Sequence, residues 1–235
     1  MKLVSPCIQW CILATIIDAT LAERRIDEEE KYWPHQDIRQ ALDNADKKSW
    51  MFYRTLRSTD RAEHKCVYAE VKEKDAEENV YKFLQRYIKG DGTKVSFFYF
   101  REQTLFASTY KTEHPEHKKR GKDNAMLVTK TKDSKTGRNY SLIYSDYKCC
   151  DILRSLADEN GAACELYLHD NCVSQDVPKS CAAMYGNACG KGDDYKHQVY
   201  YKSCKNETDV TTKPTPEGPE TPEEATTTST LPPGC

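Results

Sequence analysis

The chain has 235 residues and 31% of them are charged, yet its formal net charge is only −2. This balance lacks the excess of basic residues expected of a nucleic-acid-binding surface, which argues against nucleic acid as a partner. The only basic cluster, KKRGK at 118–122, is short and has acidic neighbours, which indicates a solvated loop.

The N-terminus has the pattern of a secretory signal. A lysine at position 2 is followed by an apolar run from Cys7 to Ile17 and by small residues that end at Ala22. This pattern predicts a signal peptide over residues 1–22. A membrane anchor is the weaker interpretation because the uncharged run is short for a bilayer. No later segment is apolar enough to cross a membrane, so we expect a secreted, extracellular protein with no membrane partner.

The next segments predict one helix and then a series of strands. PHQDIRQALDNADKK places Ile38 and Leu42 four residues apart after Pro34, which predicts a short helix. Short runs rich in aromatic and β-branched residues follow and predict eight strands: SWMFYRTL, HKCVYAEV, NVYKFLQRYI, KVSFFYF, LFASTY, NAMLVTKT, YSLIYSDY and CELYLH.

The connections between these runs favour an antiparallel arrangement. Most are loops with turn chemistry, such as KGDGTK and KDSKTGRN, and are too short for crossover helices. Eight antiparallel strands in a domain of this size fit a closed barrel that can hold a small ligand and leaves no exposed edge. A two-sheet sandwich is the alternative. The sequence therefore predicts an all-β protein.

The C-terminal part predicts a helix and then a disordered tail. VPKSCAAMYGNACG reads as a helix that begins after Pro178 and ends near Gly190, and an extended HQVYYKSC follows. From Thr211 onward threonine and proline dominate, and such a segment has little apolar surface to offset the entropy of ordering. We therefore expect a barrel domain over 23–205 and a disordered tail over 206–235.

Eleven cysteines are present, and removing Cys7 and Cys11 leaves nine in the mature chain. In an oxidising compartment most of them should form disulfides, and no CxxC pair occurs that would favour structural zinc. The odd number leaves at least one cysteine free or bonded to another chain. Asn139 in NYS and Asn206 in NET are glycosylation sequons, which predicts that both lie at the surface.

Several of these features, taken in order, match one family. A signal peptide, an Asp-containing N-terminal helix, Trp50, CVYAEV, YSDYKCCDIL, CELYL, VPKSCAAMY and VYYKSC together resemble the tick salivary lipocalins, the group that includes the histamine-binding proteins. The resemblance runs from about Asp37 to Cys204. It implies an eight-stranded antiparallel lipocalin-type barrel with a short N-terminal helix and a C-terminal helix, stapled by disulfides.

The resemblance also implies specific disulfides. The family pattern pairs Cys66 with Cys204 and Cys150 with Cys181, and many members carry cysteines like Cys164 and Cys189, which we expect to pair. Cys149, Cys172 and Cys235 stay unassigned. Cys235, on the predicted tail, is the best candidate for a bond between two chains, and we otherwise expect a monomer.

Glu165 raises the question of ligand binding. Strand alternation places it on one face with Tyr167 and His169. A carboxylate that points into a confined cavity is costly unless a cation or hydrogen-bond donors pair with it, and a biogenic amine supplies both. The alternative is that Glu165 is satisfied by Arg54, Arg154 or a lysine at the rim and binds nothing.

The resemblance gives Glu165 and other residues a role. Glu165 stands where a glutamate of the histamine binders contributes to the amine site, Asp43 approximately matches an acid of a second amine site, and Asp151 matches a further acidic position. Tyr140 or Ser141 replaces an aspartate of the histamine binders, so we expect at most one amine site. The candidate ligand-binding residues are Glu165, Asp43, Asp151, Trp50, Tyr140 and Tyr167. Trp50 carries the caution that tryptophan is more often a core residue.

The leading hypothesis is a secreted scavenger of histamine or serotonin that suppresses host inflammatory defence. A second keeps the fold and exchanges the ligand for a lipid mediator such as a leukotriene, whose carboxylate requires arginine, lysine or hydroxyl groups in the pocket. A third is an inhibitor of complement or coagulation that acts through surface loops such as TEHPEHKKRGKDN. No catalytic triad or metal site is recognisable, so we expect neither an enzyme nor a cofactor.

Overall fold

The computed structural model describes residues 25–56, 63–89 and 100–208. Eight antiparallel strands follow one another around a barrel, and pairing of the first strand with both the second and the eighth closes it. A short ninth strand pairs with the end of the first. The strands are β1 (Lys48–Arg54), β2 (His64–Asp75), β3 (Val80–Lys89), β4 (Arg101–Tyr110), β5 (Ala125–Thr129), β6 (Arg138–Ser145), β7 (Cys150–Ser155), β8 (Cys164–His169) and β9 (His197–Gln198).

Closure into one barrel confirms the predicted lipocalin-type architecture and excludes the sandwich. Seven of the eight predicted runs coincide with strands. Residues 94–99 of the predicted run KVSFFYF lie outside the described residues. Strand β7, with the sequence CDILRS, was not predicted, because it is short and charged side chains interrupt its apolar residues.

Strands β7 and β8 are buried on both faces. Their outward-facing residues, such as Ile152, Leu166 and Leu168, are therefore apolar. Helix α2 (Lys179–Cys189) begins after Pro178, ends at Gly190 and covers the outer face of β6 and β7. Gly190 has a φ of 114°, and a Cβ atom there would lie 2.5 Å from the ring of Tyr195, so glycine is required at this helix end.

The N-terminal segment closes one end of the barrel. Two short 3₁₀ helices, Ile26–Glu28 and Glu30–His35, lead into helix α1 (Ile38–Leu42), whose N-cap Asp37 accepts a hydrogen bond from the Gln40 amide at 3.1 Å. Ile38 and Ala41 of α1 are buried against the inner face of the sheet. We call this the closed end of the barrel. It lies where β1 begins and β8 ends.

Four disulfides fix the segments that follow β8 to the barrel. Three have the pairing that the resemblance implied: Cys66–Cys204, Cys150–Cys181 and Cys164–Cys189. The fourth, Cys149–Cys172, joins two cysteines that the sequence left unassigned. Cys204 belongs to a last short helix, α3 (Ser203–Thr208), so the first bridge ties β2 to the end of the domain.

Several predictions fall at or beyond the edges of the described residues. The predicted signal peptide, the tail from residue 209 and Cys235 lie outside them. Asn139 lies on β6, half-buried, with its amide oxygen accepting a hydrogen bond from the Tyr110 hydroxyl at 2.9 Å. Asn206 lies in α3. Glycosylation of both residues stays a prediction. Within the described part of the chain, no helix has the length and apolarity needed to cross a membrane.

Candidate ligand-binding site

The barrel encloses a cavity of about 690 Å³. This volume lies within the range of known small-molecule sites. Helix α1 covers the closed end, and the middle of the wall is mainly apolar, formed by Val71, Phe83, Leu105, Met126, Val128 and Leu153. Successive residues of a barrel strand point alternately inward and outward. Each predicted site residue therefore either lines this cavity or packs on the outside of the barrel.

Acidic side chains cluster on one part of the wall. Asp46, Asp151 and Glu165 all line the cavity. Asp151 on β7 is paired in register with Tyr167 on β8, so Glu165 and His169 are its two diagonal neighbours on the same face. The pairing of β7 with β8 therefore brings two carboxylates and an imidazole together, which the sequence alone could not place side by side.

Glu165 is only 3% exposed, and its surroundings are polar. The Tyr167 hydroxyl donates a hydrogen bond to one carboxylate oxygen of Glu165 at 3.0 Å. Arg54, also buried, is the direct register partner of Glu165 on β1, so the two side chains lie on the same face of the sheet. Arg154, another predicted partner, instead lies on the outer face and binds Asp27 through two hydrogen bonds of 3.0 and 2.9 Å.

Asp151 offers an acceptor that the described residues do not use. One of its oxygens, Oδ2, lies 3.1 Å from His169 Nε2, and the other, Oδ1, is buried without a hydrogen-bond partner among the described residues. A buried carboxylate oxygen that makes no hydrogen bond costs free energy. Asp151 is therefore the acid on the cavity wall that is best prepared to receive a donor.

His169 is held from both sides of its ring. Nδ1 lies 3.2 Å from the backbone carbonyl oxygen of Asp46 and 3.1 Å from Ser49 Oγ, and Nε2 faces Asp151. Burial alone lowers the pKa of His169, but the hydrogen bond to Asp151 and the nearby negative charges outweigh it, so the pKa lies above its ordinary value of 6.5. The contact with Asp151 therefore stabilises the protonated form of His169.

Two of the predicted ligand contacts lie elsewhere. Asp43 follows α1 on the outside of the barrel, where its carboxylate binds Lys74 Nζ at 2.5 Å and the Tyr81 hydroxyl at 3.3 Å. Trp50 is fully buried on the outer face of β1, and its Nε1–H donates to Asp170 Oδ1 at 2.6 Å. The structure does not bring either residue to the cavity. It does bring Tyr140 and Tyr167 there.

A β-bulge in β1 puts Tyr53 on the same outer face as Trp50. The register of β1 against β8 shifts between Met51 and Tyr53, so Phe52 is the extra residue. Trp50 and Tyr53 are paired with Leu168 and Leu166, which face outward, and both pack among the aromatic side chains outside the barrel. Met51 and Arg54 consequently share the inner orientation of Tyr167 and Glu165.

Sequence reasoning gave no role to His169, Asp46 and Ser49. The alternation in CELYLH did place His169 on the face of Glu165, and this was the one available signal. The Asp46 carboxylate accepts hydrogen bonds from the Asn171 amide at 2.8 Å and the Lys48 amide at 3.3 Å, so it shapes the turn that holds His169. The contacts of His169 with Asp46 and Ser49 join residues that are 123 and 120 positions apart in the chain.

Among the described residues, one group has the geometry to hold a metal ion, formed by Asp146, Cys150 and Cys181. The two sulfur atoms of this group form a disulfide, so they are not thiolate ligands. The Asp146 carboxylate accepts hydrogen bonds from the backbone amides of residues 148, 149 and 150. This group therefore has a structural role.

The chain is similar to one known protein family and to several solved structures. The sequence profile of a family described as tick histamine binding protein matches residues 26–206. Japanin from Rhipicephalus appendiculatus, solved with cholesterol, has a TM-score of 0.47 and 11% identity, with 67% of this chain and 93% of that chain covered. Apocrustacyanin C2 has a TM-score of 0.49 and 16% identity, with 78% of this chain and 91% of that chain covered. The cockroach allergen Per a 4 has a TM-score of 0.44 and 12% identity, with 72% of this chain and 91% of that chain covered. A search of curated proteins gave no match.

Proposed function

Because the chain belongs to the tick histamine-binding protein family, we propose that it is a secreted carrier that binds a small protonated amine, most concretely histamine or serotonin, inside its barrel. Binding withdraws the mediator from its host receptors and so suppresses the inflammatory response. This function requires affinity and a preformed cavity, and it requires no chemical step on the ligand.

The observation that carries the proposal is the buried Oδ1 atom of Asp151, which lacks a hydrogen-bond partner among the described residues. An ammonium group supplies both the missing donor and the opposite charge, and charge-assisted hydrogen bonds of this kind are stronger than neutral ones. Glu165 is the diagonal neighbour of Asp151 on the same wall. Tyr140, Tyr167 and Phe83 line the same cavity and offer ring faces to an aromatic amine.

Secretion is part of this proposal. It is supported by the predicted signal peptide and by four disulfides, which are typical of proteins that fold in an oxidising compartment. The disulfides and the closed sheet also make the cavity rigid, so little ordering free energy is lost when the ligand binds.

One observation favours a lipid mediator as a second candidate. Much of the cavity wall is apolar, and His64, Lys130 and Arg138 contribute to the lining at the end opposite the closed end. A fatty-acid derivative could place its chain along the apolar wall and its carboxylate near these groups. The acidic wall around Asp151 has no role in this second candidate.

Calorimetric titration of the purified protein with histamine and with serotonin tests the proposal, with leukotriene B4 as the competitor. We expect saturable binding of at least one amine at one site, with no displacement by leukotriene B4 at equal concentration. Absence of binding of both amines up to high micromolar concentration, together with saturable binding of leukotriene B4, would replace the amine proposal by the lipid one.

A further inference from the structure

We propose that His169 controls access to Asp151, so that an ammonium group binds Asp151 in exchange for the proton that His169 carries on Nε2. This inference rests on the proposed function and adds to it a coupling between ligand binding and the release of a proton from His169. It assigns to His169 the role of a residue that determines affinity without being the main contact of the ligand.

The contacts of His169 Nδ1 favour one neutral tautomer. The carbonyl oxygen of Asp46, 3.2 Å away, can only accept, which favours a hydrogen on Nδ1, and the Ser49 hydroxyl oxygen, 3.1 Å away, can accept from the same hydrogen. The exchangeable proton is therefore the one on Nε2. This atom faces the cavity wall at Asp151, at a distance of 3.1 Å from Oδ2.

Nε2 has a suitable partner in each state. When protonated, it donates to Asp151 Oδ2. When neutral, its lone pair can accept from the side-chain amide of Asn44, whose Nδ2 lies 3.3 Å away. The neutral ring is thus not left without a hydrogen bond, and both oxygens of Asp151 become available to a new cation. The site has two satisfied arrangements of the same side chains.

Polar and charged groups from several elements surround His169. They are Asp151 on β7, Ser49 on β1, and Asn44 and Asp46 from the segment between α1 and β1. Tyr167 on the same strand and Lys47 line the same cavity. Tyr147 of the β6–β7 turn lies behind Asn44, which donates to its carbonyl oxygen. Two cations on one carboxylate in a confined space repel each other, so the arriving ammonium favours loss of the imidazolium proton.

The exchange is balanced. The ammonium keeps its three hydrogens, the proton leaves His169 Nε2 for the buffer, and the charge at the wall is the same before and after binding. A neutral ligand of the same shape would leave the imidazolium–Asp151 pair intact and could gain only an uncharged hydrogen bond to Oδ1. The site therefore selects ligands that arrive as cations.

Titration calorimetry with serotonin in two buffers of different protonation enthalpy tests this exchange, because serotonin has no imidazole of its own. At about pH 6, where an unshifted histidine is already mostly charged, we expect nearly one proton released per serotonin bound. At about pH 8 the release should fall, and the affinity should rise by up to about tenfold per pH unit until His169 is neutral. In H169Q both the proton release and this pH dependence should disappear while binding persists.

His35→Gln is the matched control. His35 is half-buried and, like His169, has Nδ1 near a backbone carbonyl oxygen, that of Ser145 at 3.1 Å, but it lies outside the cavity. It should keep the wild-type proton release. Release that is unchanged in H169Q, or serotonin binding without proton release at any pH, would overturn this inference and leave the proposed function standing. Absence of amine binding would overturn both.

A second readout covers the case in which H169Q does not fold. The ¹⁵N shifts of the His169 ring in the labelled wild-type protein should change from a doubly protonated ring to a ring with bare Nε2 when serotonin saturates the site at about pH 6. A ring that stays doubly protonated in the complex would contradict the exchange.

Discussion

Replacing Asp151 by asparagine removes the charge at the centre of the proposed site and changes the size of the side chain very little. In the wild-type protein Oδ2 of this residue lies 3.1 Å from His169 Nε2, and Oδ1 is buried without a partner among the described residues. The amide of D151N can still accept one hydrogen bond but can no longer balance an ammonium. The effect on amine binding should therefore be electrostatic.

The magnitude follows from the burial of the pair. Removing one member of a buried, hydrogen-bonded charge pair typically costs about 2 to 5 kcal/mol of binding free energy. Because the asparagine of D151N keeps one oxygen that can accept a hydrogen bond, we expect a loss of about 3 kcal/mol. At about 1.4 kcal/mol per factor of ten, the Kd should rise roughly 100-fold. Glu165 already has the Tyr167 hydroxyl at 3.0 Å and Arg54 opposite in register, so E165Q should raise the Kd by only about tenfold.

Calorimetric titration of D151N, E165Q and D43N with the amine that binds best provides the comparison. D43N is the control, since Asp43 lies outside the cavity and binds Lys74, and it should stay within about twofold of the wild type. Denaturant unfolding of each variant checks that the fold is kept. Wild-type affinity in D151N with loss of binding in E165Q would show that Glu165, and not Asp151, receives the ligand.

Three further predictions concern stability. Because the folded-state pKa of His169 is raised, the pair with Asp151 should stabilise the wild type over H169Q fully below about pH 6.5. This contribution to the difference in unfolding free energy should be lost as the pH rises through the folded-state pKa. Denaturant unfolding at several pH values measures it, and a difference that grows with pH would contradict the assignment. Trp50→Phe should lower the unfolding free energy by about 2 kcal/mol, because packing and the hydrogen bond to Asp170 are lost. Calorimetric titration should show unchanged amine affinity, since Trp50 lies outside the cavity. Replacing Cys149 and Cys172 together by serine opens a loop of 23 residues and should lower the unfolding free energy by about 3 kcal/mol in urea unfolding, whereas an unchanged midpoint would refute a stabilising bridge.

The barrel could be predicted from the sequence because its signals are local. Alternation in CELYLH and turn chemistry in the loops depend on neighbouring residues, and both agree with the strands that form. Strand β7 escaped because Asp151 and Arg154 interrupt its apolar pattern, and each of them has a partner that only the fold supplies. The exception to the local pattern was therefore a strand that carries part of the candidate site.

The candidate site could be predicted only in part, since its contacts are long-range. The alternation put Glu165, Tyr167 and His169 on one face, but it could not show that Asp151 is the register partner of Tyr167. Trp50 shows the opposite case. The strand that contains Trp50 was predicted. Whether Trp50 faces the cavity or the outside depends on long-range packing, and it packs outside the barrel against Tyr200.

A crystal structure of the protein grown with histamine or serotonin is the decisive test of amine binding at Asp151. We predict one amine inside the barrel, with its ammonium nitrogen within hydrogen-bonding distance of both oxygens of Asp151 and with His169 Nε2 accepting from the side-chain amide of Asn44. An amine bound outside the barrel, or one in the cavity with its ammonium away from the wall formed by Asp151 and Glu165, would contradict it.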